Sequence, residues 1–396
     1  MLSRCGIGLV ALLLLLPSCA DTQEFTSEGR SGRPSADTHP GPSDSGVSIA
    51  SCDTARDANN CGACGHRCLG GACLSGICQP IELARGETPT ALAVAGDDVY
   101  FLALGPSGMS ADRIRRVPTR GGPSSTAVTL PGGALGSMLL RGGFLYVAYA
   151  SGPSNVATIG RLALGGDTLV DVIPKPLPGC RPAAFTVTST SLVFTCDVGE
   201  TGLFACPLTG CAAGALPLDP SFAMWRSRRG LVDVGGAVLA ASEGAPELRR
   251  LSLDGVKCDV AMTGAKDQET AIAYDGTSAY VARSGELLEL APVCGAGHRK
   301  LLVKSGRLER PILALNDDDV LWGEQNLYDG SILRCAKAGC DEPEVIATGQ
   351  GFVMDVVATN DAVYWVTTAR VGSSPVPGTV MKLALPPRAG LPASLP

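Results

Sequence analysis

Three observations predict an all-β repeat protein. The chain of 396 residues carries 50 Gly and 28 Pro against 18% charged and 45% apolar residues, which suits many short strands joined by tight turns and argues against a helical bundle. Aligned on itself, it shows seven copies of a strand–turn–strand segment: ALAVAGDDVYFLA from Ala91, SMLLRGGFLYVAYA from Ser137, AFTVTSTSLVFTC from Ala184, GLVDVGGAVLAAS from Gly230, AIAYDGTSAYVAR from Ala271, ILALNDDDVLWGE from Ile312 and VVATNDAVYWVTT from Val356. Equivalent second-strand positions are Tyr100, Tyr146, Val193, Leu239, Tyr280, Leu321 and Tyr364, spaced by 46, 47, 46, 41, 41 and 43 residues. An interval held this closely is a structural period.

Each copy also carries a third strand, from DRIRRVPTRGG in the first to GTVMKLALPP in the last, and most lead into a fourth such as SSTAVTL or PEVIATG. In the third copy that fourth strand, near Ala215 to Leu218, is weak. Four strands in about 44 residues is the spacing of a propeller blade. The last copy has no fourth strand, because after Leu385 the chain turns to PPRAGLPASLP. The missing strand lies at the other end: PIELARG, from Pro80, stands just before the first copy and resembles EVIATG, from Glu344, the fourth strand of copy six. The expected fold is a seven-bladed β-propeller over residues 80–387, closed by this N-terminal strand, which removes the exposed edge an open array would leave. Residues 388–396 form a tail.

Ahead of the ring the chain divides into three stretches. Residues 1–18 read as a signal peptide: one cation, Arg4, then an apolar run of 11 residues from Gly6 to Leu16, short of the roughly 20 a membrane-spanning helix needs. Residues 19–50 are rich in Ser, Gly, Pro, Asp and Thr, with Phe25, Val47 and Ile49 as their bulky apolar residues, and read as a flexible tether that includes a solvated His39. Residues 51–79 hold Cys52, Cys61, Cys64, Cys68, Cys73 and Cys78, six in 27 residues. So short a segment has almost no core, so covalent staples replace burial. The competing reading is a metal site on Cys61, Cys64 and the nearby His66; export into an oxidising compartment favours disulfides, with 15 pairings open.

Eight further Cys lie in the repeats. Cys206 with Cys211, and Cys335 with Cys340, flank third-to-fourth strand turns and are the readiest bridges; Cys180 with Cys196 and Cys258 with Cys294 remain, the latter tying neighbouring copies four and five. The tip residues Asp97-Asp98, Asn316 to Asp319 and Asn360-Asp361 read as turn formers, since no copy carries a calcium-loop arrangement, and no metal or cofactor is expected. The formal charge of −6, without basic clusters, gives no footprint for nucleic acid.

Several motifs resemble known families. Leu16-Pro17-Ser18-Cys19 resembles the lipobox of bacterial lipoproteins, which implies a diacylated Cys19, membrane attachment through lipid and, from Ala20-Asp21, an outer-membrane address, with simple secretion as the alternative. The cysteine segment resembles small knots placed before repeat domains in bacterial surface proteins. Val363-Tyr364-Trp365-Val366-Thr367 and Val99-Tyr100-Phe101 resemble YWTD-like and NHL/TolB-like bacterial propellers, over residues 81–386. Those families include binding modules and a few enzymes, so the resemblance implies fold rather than activity.

Scarce histidine argues against catalysis. His298 is the sole His in the repeats and falls in an outer turn, whereas streptogramin-lyase-type propellers rely on a His and a metal. Channel carboxylates such as Glu269, Glu309 and Asp355 keep a secreted lyase or hydrolase as the alternative reading, with an envelope-assembly scaffold as another. The leading expectation is a non-catalytic envelope lipoprotein whose ring binds a protein or glycan partner. Its face would be built from loops leading into first strands and from second-to-third strand loops: Arg181, Trp225, Arg226, Arg228, Arg229, Arg310, Glu324, Asn326, Tyr328 and Phe352.

Overall fold

The computed structural model of the chain describes residues 52–104, 111–151, 156–173, 180–196, 202–211, 214–222, 230–241, 248–260, 270–283, 285–295, 299–305, 308, 312–324, 329–371 and 374–385. Among these residues every regular element is a strand. Copies three to six each form a four-stranded antiparallel sheet with strands in chain order, beginning at Pro182–Val187, Leu231–Asp233, Ala271–Tyr274 and Ile312–Leu315. The seven aligned positions share one register. Tyr100, Tyr146, Val193, Leu239, Tyr280, Leu321 and Tyr364 each sit opposite the residue seven places earlier, from Ala93 to Val357, and all seven are buried. A repeated hairpin register pins which side chains face each side of every sheet.

Why these runs become strands follows from what covers them. Second strands such as Ala237–Ala241 and Asp319–Gly323 are buried at every residue, because sheets pack on both of their faces; their sequences are accordingly continuous rather than alternating. Fourth strands lie at the rim and expose residues such as Leu216 and Val345. The first strands, Pro89–Ala95, Ser125–Arg141, Pro182–Val187, Leu231–Asp233, Ala271–Tyr274, Ile312–Leu315 and Phe352–Ala358, contact one another in chain order, and the last contacts the first. The result is a closed ring of seven inner strands.

One departure concerns copies one and two. Instead of a break between them, a single strand, Ser125–Arg141, runs on, so their strands join into one seven-stranded sheet. Ala134 pairs both with Ala111 in copy one and with Tyr149 in copy two. Gly132 permits the passage, because a Cβ there would stand 2.2 Å from the Ala150 carbonyl oxygen. The weak fourth strand of copy three forms at Leu216–Asp219.

The seventh sheet is assembled from both ends of the ring sequence. Phe352–Ala358, Ala362–Val371 and Ser374–Ala384 are joined by Ile81–Glu87, which runs antiparallel to Ser374–Ala384 with Ile81 opposite Lys382 and Glu87 opposite Gly378. Leu83, 3% exposed, inserts into a cluster with Leu92, Phe101 and Val117 of copy one and Tyr364, Val366 and Val380 of copy seven. Glu87 meets Arg115 at 3.1 Å and Arg113 at 3.9 Å across the same junction. The N-terminal strand therefore closes the ring.

The cysteine segment forms three bridges, Cys52–Cys64, Cys61–Cys73 and Cys68–Cys78, around a two-stranded hairpin of Cys73–Leu74 and Ile77–Cys78. Ser75 and Gly76, at φ of 53° and 79°, form the tight mirror-image turn that such a hairpin favours. The knot and the ring belong to one compact unit.

Closure by Ile81–Glu87 makes Leu83→Ala a sharp test. Emptying that site is expected to cost about 3 kcal/mol and to lower the urea midpoint of the full chain; an unchanged midpoint would show that the strand does not hold the ring shut.

Candidate functional site

The described members of the expected face lie at the end of the ring where first strands begin and second strands finish. Arg181 stands exposed just ahead of Pro182–Val187, Phe352 is the first residue of Phe352–Ala358, and Glu324 directly follows Asp319–Gly323. Trp225, Arg226, Arg228, Arg229, Arg310, Asn326 and Tyr328 lie outside the described residues, as do Cys19, His298, Glu269 and Glu309.

The structure brings Glu324 and Phe352 into one neighbourhood and leaves Arg181 to copy three. Gly330 is the reason: a Cβ on it would stand 1.9 Å from the Gly351 carbonyl oxygen and 2.8 Å from that of Glu324, so only a residue without a side chain lets the three segments stack. Backbone bonds hold the stack, with Glu324 N–H donating to Ser331 O at 2.8 Å and Gln350 N–H to Gly330 O at 2.8 Å. Asp329 Oδ1 accepts the Gly349 N–H at 3.0 Å, and the Trp365 indole N–H donates to Gln350 Oε1 at 3.1 Å. The outcome is a small backbone-bonded platform on copies six and seven, whose segments carry the half-buried Glu324, Gln350 and Phe352 and the exposed Asp329. Sequence reasoning sought aromatic and Arg side chains, and so passed over Asp329 and Gln350. The signal for them was the glycine pattern Asp329-Gly330 and Gly349-Gln350-Gly351 on either side of copy six's outer strands.

Asp355 does not belong to a carboxylate trio at the surface. It is 2% exposed; its Oδ2 accepts the Leu92 N–H of copy one at 3.0 Å and its Oδ1 the Val356 N–H at 2.7 Å, which makes it a clamp between copies seven and one. His66, the one described histidine, sits in the knot with Nδ1 2.5 Å from Cys61 O and Nε2 3.0 Å from Leu385 O. The sulfurs of Cys61, Cys68 and Cys78 come within 4.8 Å of one another but are committed to bridges, so in this oxidised form they offer no thiolate to a metal. Cys64, the other half of the spacing that suggested zinc, is bonded to Cys52.

In the ring, the structure pairs Cys180 with Cys196, Cys206 with Cys211, Cys258 with Cys294 and Cys335 with Cys340, at Cα separations of 5.1, 5.4, 5.6 and 5.6 Å. Cys258–Cys294 joins copies four and five, beside a Gly295 N–H to Asp259 O bond of 3.1 Å. Tip carboxylates and amides are spent on turns and on neighbours. Asn316 Oδ1 accepts the Asp318 and Asp319 N–H groups, Asp275 Oδ1 those of Thr277 and Ser278, and Asn360 bonds Asp317 of the adjacent copy.

A buried carboxylate governs the electrostatics between copies three and four. Asp219 receives Arg249 Nη1 at 2.6 Å, Lys257 Nζ at 3.3 Å and the Ser221 hydroxyl at 2.7 Å. Burial pushes its carboxyl up, but the bonds from Ser221, Arg249 and Lys257 outweigh that and hold it at about 2. Asp275 is balanced in the same way, with burial opposed by Lys337 at 2.9 Å and the turn N–H groups, and it also falls to about 2.

No family model matches the chain, and no curated protein matches it. Solved structures do share its fold. A catalytically inactive variant of virginiamycin B lyase from Staphylococcus aureus, crystallised with Quinupristin, superposes with a TM-score of 0.56 at 12% identity, over 78% of this chain and 98% of that one. A streptogramin B lyase gives a TM-score of 0.55 at 13% identity, over 77% and 96% of the respective chains. At this identity the likeness establishes a β-propeller fold and carries no activity with it.

Asp219 predicts an acid limb. Its carboxyl is depressed in the folded state relative to the usual value near 3.9, so the stability it contributes is complete above about pH 4 and lost as pH falls towards about 2. Asp219→Asn is expected to lower stability by about 2 kcal/mol at neutral pH. In urea midpoints measured against pH, the gap between the two proteins should close between about pH 4 and pH 2; a constant gap would remove Asp219 from the acid response.

Proposed function

We propose that the chain is a cell-envelope lipoprotein, anchored through lipid on Cys19, whose ring binds a glycan or protein partner without converting it. The observation that carries the binding reading is the platform at Glu324, Asp329, Gln350 and Phe352. An apolar ring edge with carboxylates on the neighbouring segments is suited to a polyhydroxylated or amide-bearing surface, where hydroxyl and N–H groups meet carboxylate oxygens and C–H faces meet the ring. The glycine stack beneath it keeps the site preorganised, which lowers the ordering cost of binding. Asp355, the described carboxylate that a hydrolytic reading would recruit, is committed to backbone N–H groups. The signal-like leader and the Leu16-Pro17-Ser18-Cys19 motif support the address.

Two measurements test this. On an array of envelope polysaccharides, and in crosslinking capture from envelope extracts, the paired substitution of Glu324→Ala and Phe352→Ala in the full chain should weaken binding at least about tenfold. The circular-dichroism spectrum should stay unchanged. Undiminished binding would clear this end of the ring, and release of cleaved glycan by the unsubstituted protein would replace the binding reading with the hydrolytic one. For the anchor, growth with an alkyne-tagged palmitate should label the chain, and Cys19→Ser should abolish the label; equal labelling would exclude Cys19.

A further inference from the structure

The cysteine-rich segment is seated on the one place where the ring is not continuous in sequence. Six copies are held by hairpins between successive strands, but the seventh sheet depends on residues 81–87 meeting residues 378–382 from the far end of the chain. Closing a loop of that length carries an entropic cost that grows only logarithmically, yet it must be met by contacts made at the seam itself.

The knot supplies such contacts through two polar bridges and an apolar one. Lys382, on the strand that receives the closing strand and opposite Ile81, is 6% exposed. Its ammonium donates to Leu69 O of the knot at 3.1 Å and to Thr119 O of copy one at 3.0 Å, so one side chain joins three parts of the molecule. Burial pushes this amine down, with Asp361 opposing, and the two carbonyls replace the water it gives up. His66 spans the second bridge, from Cys61 O within the knot to Leu385 O at the end of copy seven. Around them, Cys61, Cys68, Cys73 and Cys78 pack in one apolar cluster with Val353, Trp365, Leu383 and Leu385, and Leu69 also reaches the seam cluster that contains Leu83. A Cβ on Gly70 would lie 3.3 Å from Ile81 Cδ1, which places the knot backbone against the first residue of the closing strand.

We infer that the knot is a clasp: its function is to hold the N-terminal strand in the seventh sheet and so keep the ring closed. The three bridges staple the segment together, and it attaches through Leu69 O to Lys382 on the partner strand and through His66 to Leu385 just beyond that strand, with Lys382 carrying the link on to Thr119 of copy one. Only two residues, Gln79 and Pro80, separate Cys78 from the closing strand, and Gln79 N–H is fixed to Ala72 O at 2.8 Å, so the strand leaves the knot already aimed at its slot. This role is independent of what the ring binds.

Native-state hydrogen exchange followed by mass spectrometry tests the clasp on the full chain. His66→Ala, Lys382→Met and the paired Cys68→Ala, Cys78→Ala change should each speed exchange in Ile81–Glu87 and Ser374–Ala384 at least about tenfold. Strands Ser191–Cys196 and Ala237–Ala241, on the far side of the ring, should keep their protection. His66→Ala serves where the other two fail to fold, because a half-buried side chain is removed without opening the core. Unchanged exchange at the seam would make the knot a passenger, and an equal rise in every copy would make it a general stabiliser; either result overturns the clasp.

Discussion

The pairing of Ile81–Glu87 with Ser374–Ala384 is the interaction on which the ring depends. Every other strand neighbour in the copies follows its partner closely along the chain, and local pairings of that kind form at little entropic cost. The seam brings together residues about three hundred positions apart. Once it is made, all first strands have neighbours on both sides and no blade face is left bare. Without it, the apolar surfaces of copies one and seven that bury Leu92, Phe101, Tyr364 and Val380 would face water.

The remaining junctions are secured by varied chemistry laid over a common apolar packing. Copies three and four share the Asp219 cluster, four and five a disulfide, five and six the Lys337–Asp275 pair, six and seven the Asn360–Asp317 bonds, and seven and one the Asp355 clamp. This variety explains why the repeats look degraded when aligned. The conserved element of the period is the hairpin register and the burial of its central position, whereas the polar links are specific to each junction. Gly160 is one instance: without a side chain it lets the Tyr149 ring cross the third strand of copy two and reach Asp171 on the fourth.

Much of the architecture was legible in the chain because it is written locally. The period, the turn chemistry and the likeness of the Pro80 and Glu344 segments are matters of short-range pattern, and they lead to the closed ring. The hairpin-flanking Cys pairs were readable for the same reason. Less legible were features set by distant backbone. Nothing in the segment SSTAVTLPGGALGSMLLR announces that two sheets fuse there, since the glycines that permit it also look like an ordinary turn. The platform at Glu324 and Phe352 arises from two glycines pressed together across adjacent copies, and a search for aromatic and basic loops finds only its edge. His66 looked like a metal candidate beside Cys61 and Cys64. Its partners are the Cys61 carbonyl and, 319 residues away, the Leu385 carbonyl, and a carbonyl leaves no trace in side-chain type.

The placement of the knot also sets the mechanics of the molecule. Tension entering from the residues before Cys52 would, in a chain lacking the knot, pull on Ile81 and peel the closing strand from one end, breaking its ladder bonds singly. With the knot in the path, the load crosses Cys52–Cys64, Cys61–Cys73 and Cys68–Cys78 and divides between the closing strand and the Lys382 and Leu385 attachments on its partner. Part of such a load is thereby carried by the neighbourhood of the partner strand and does not fall on the ladder bonds of Ile81–Glu87 alone.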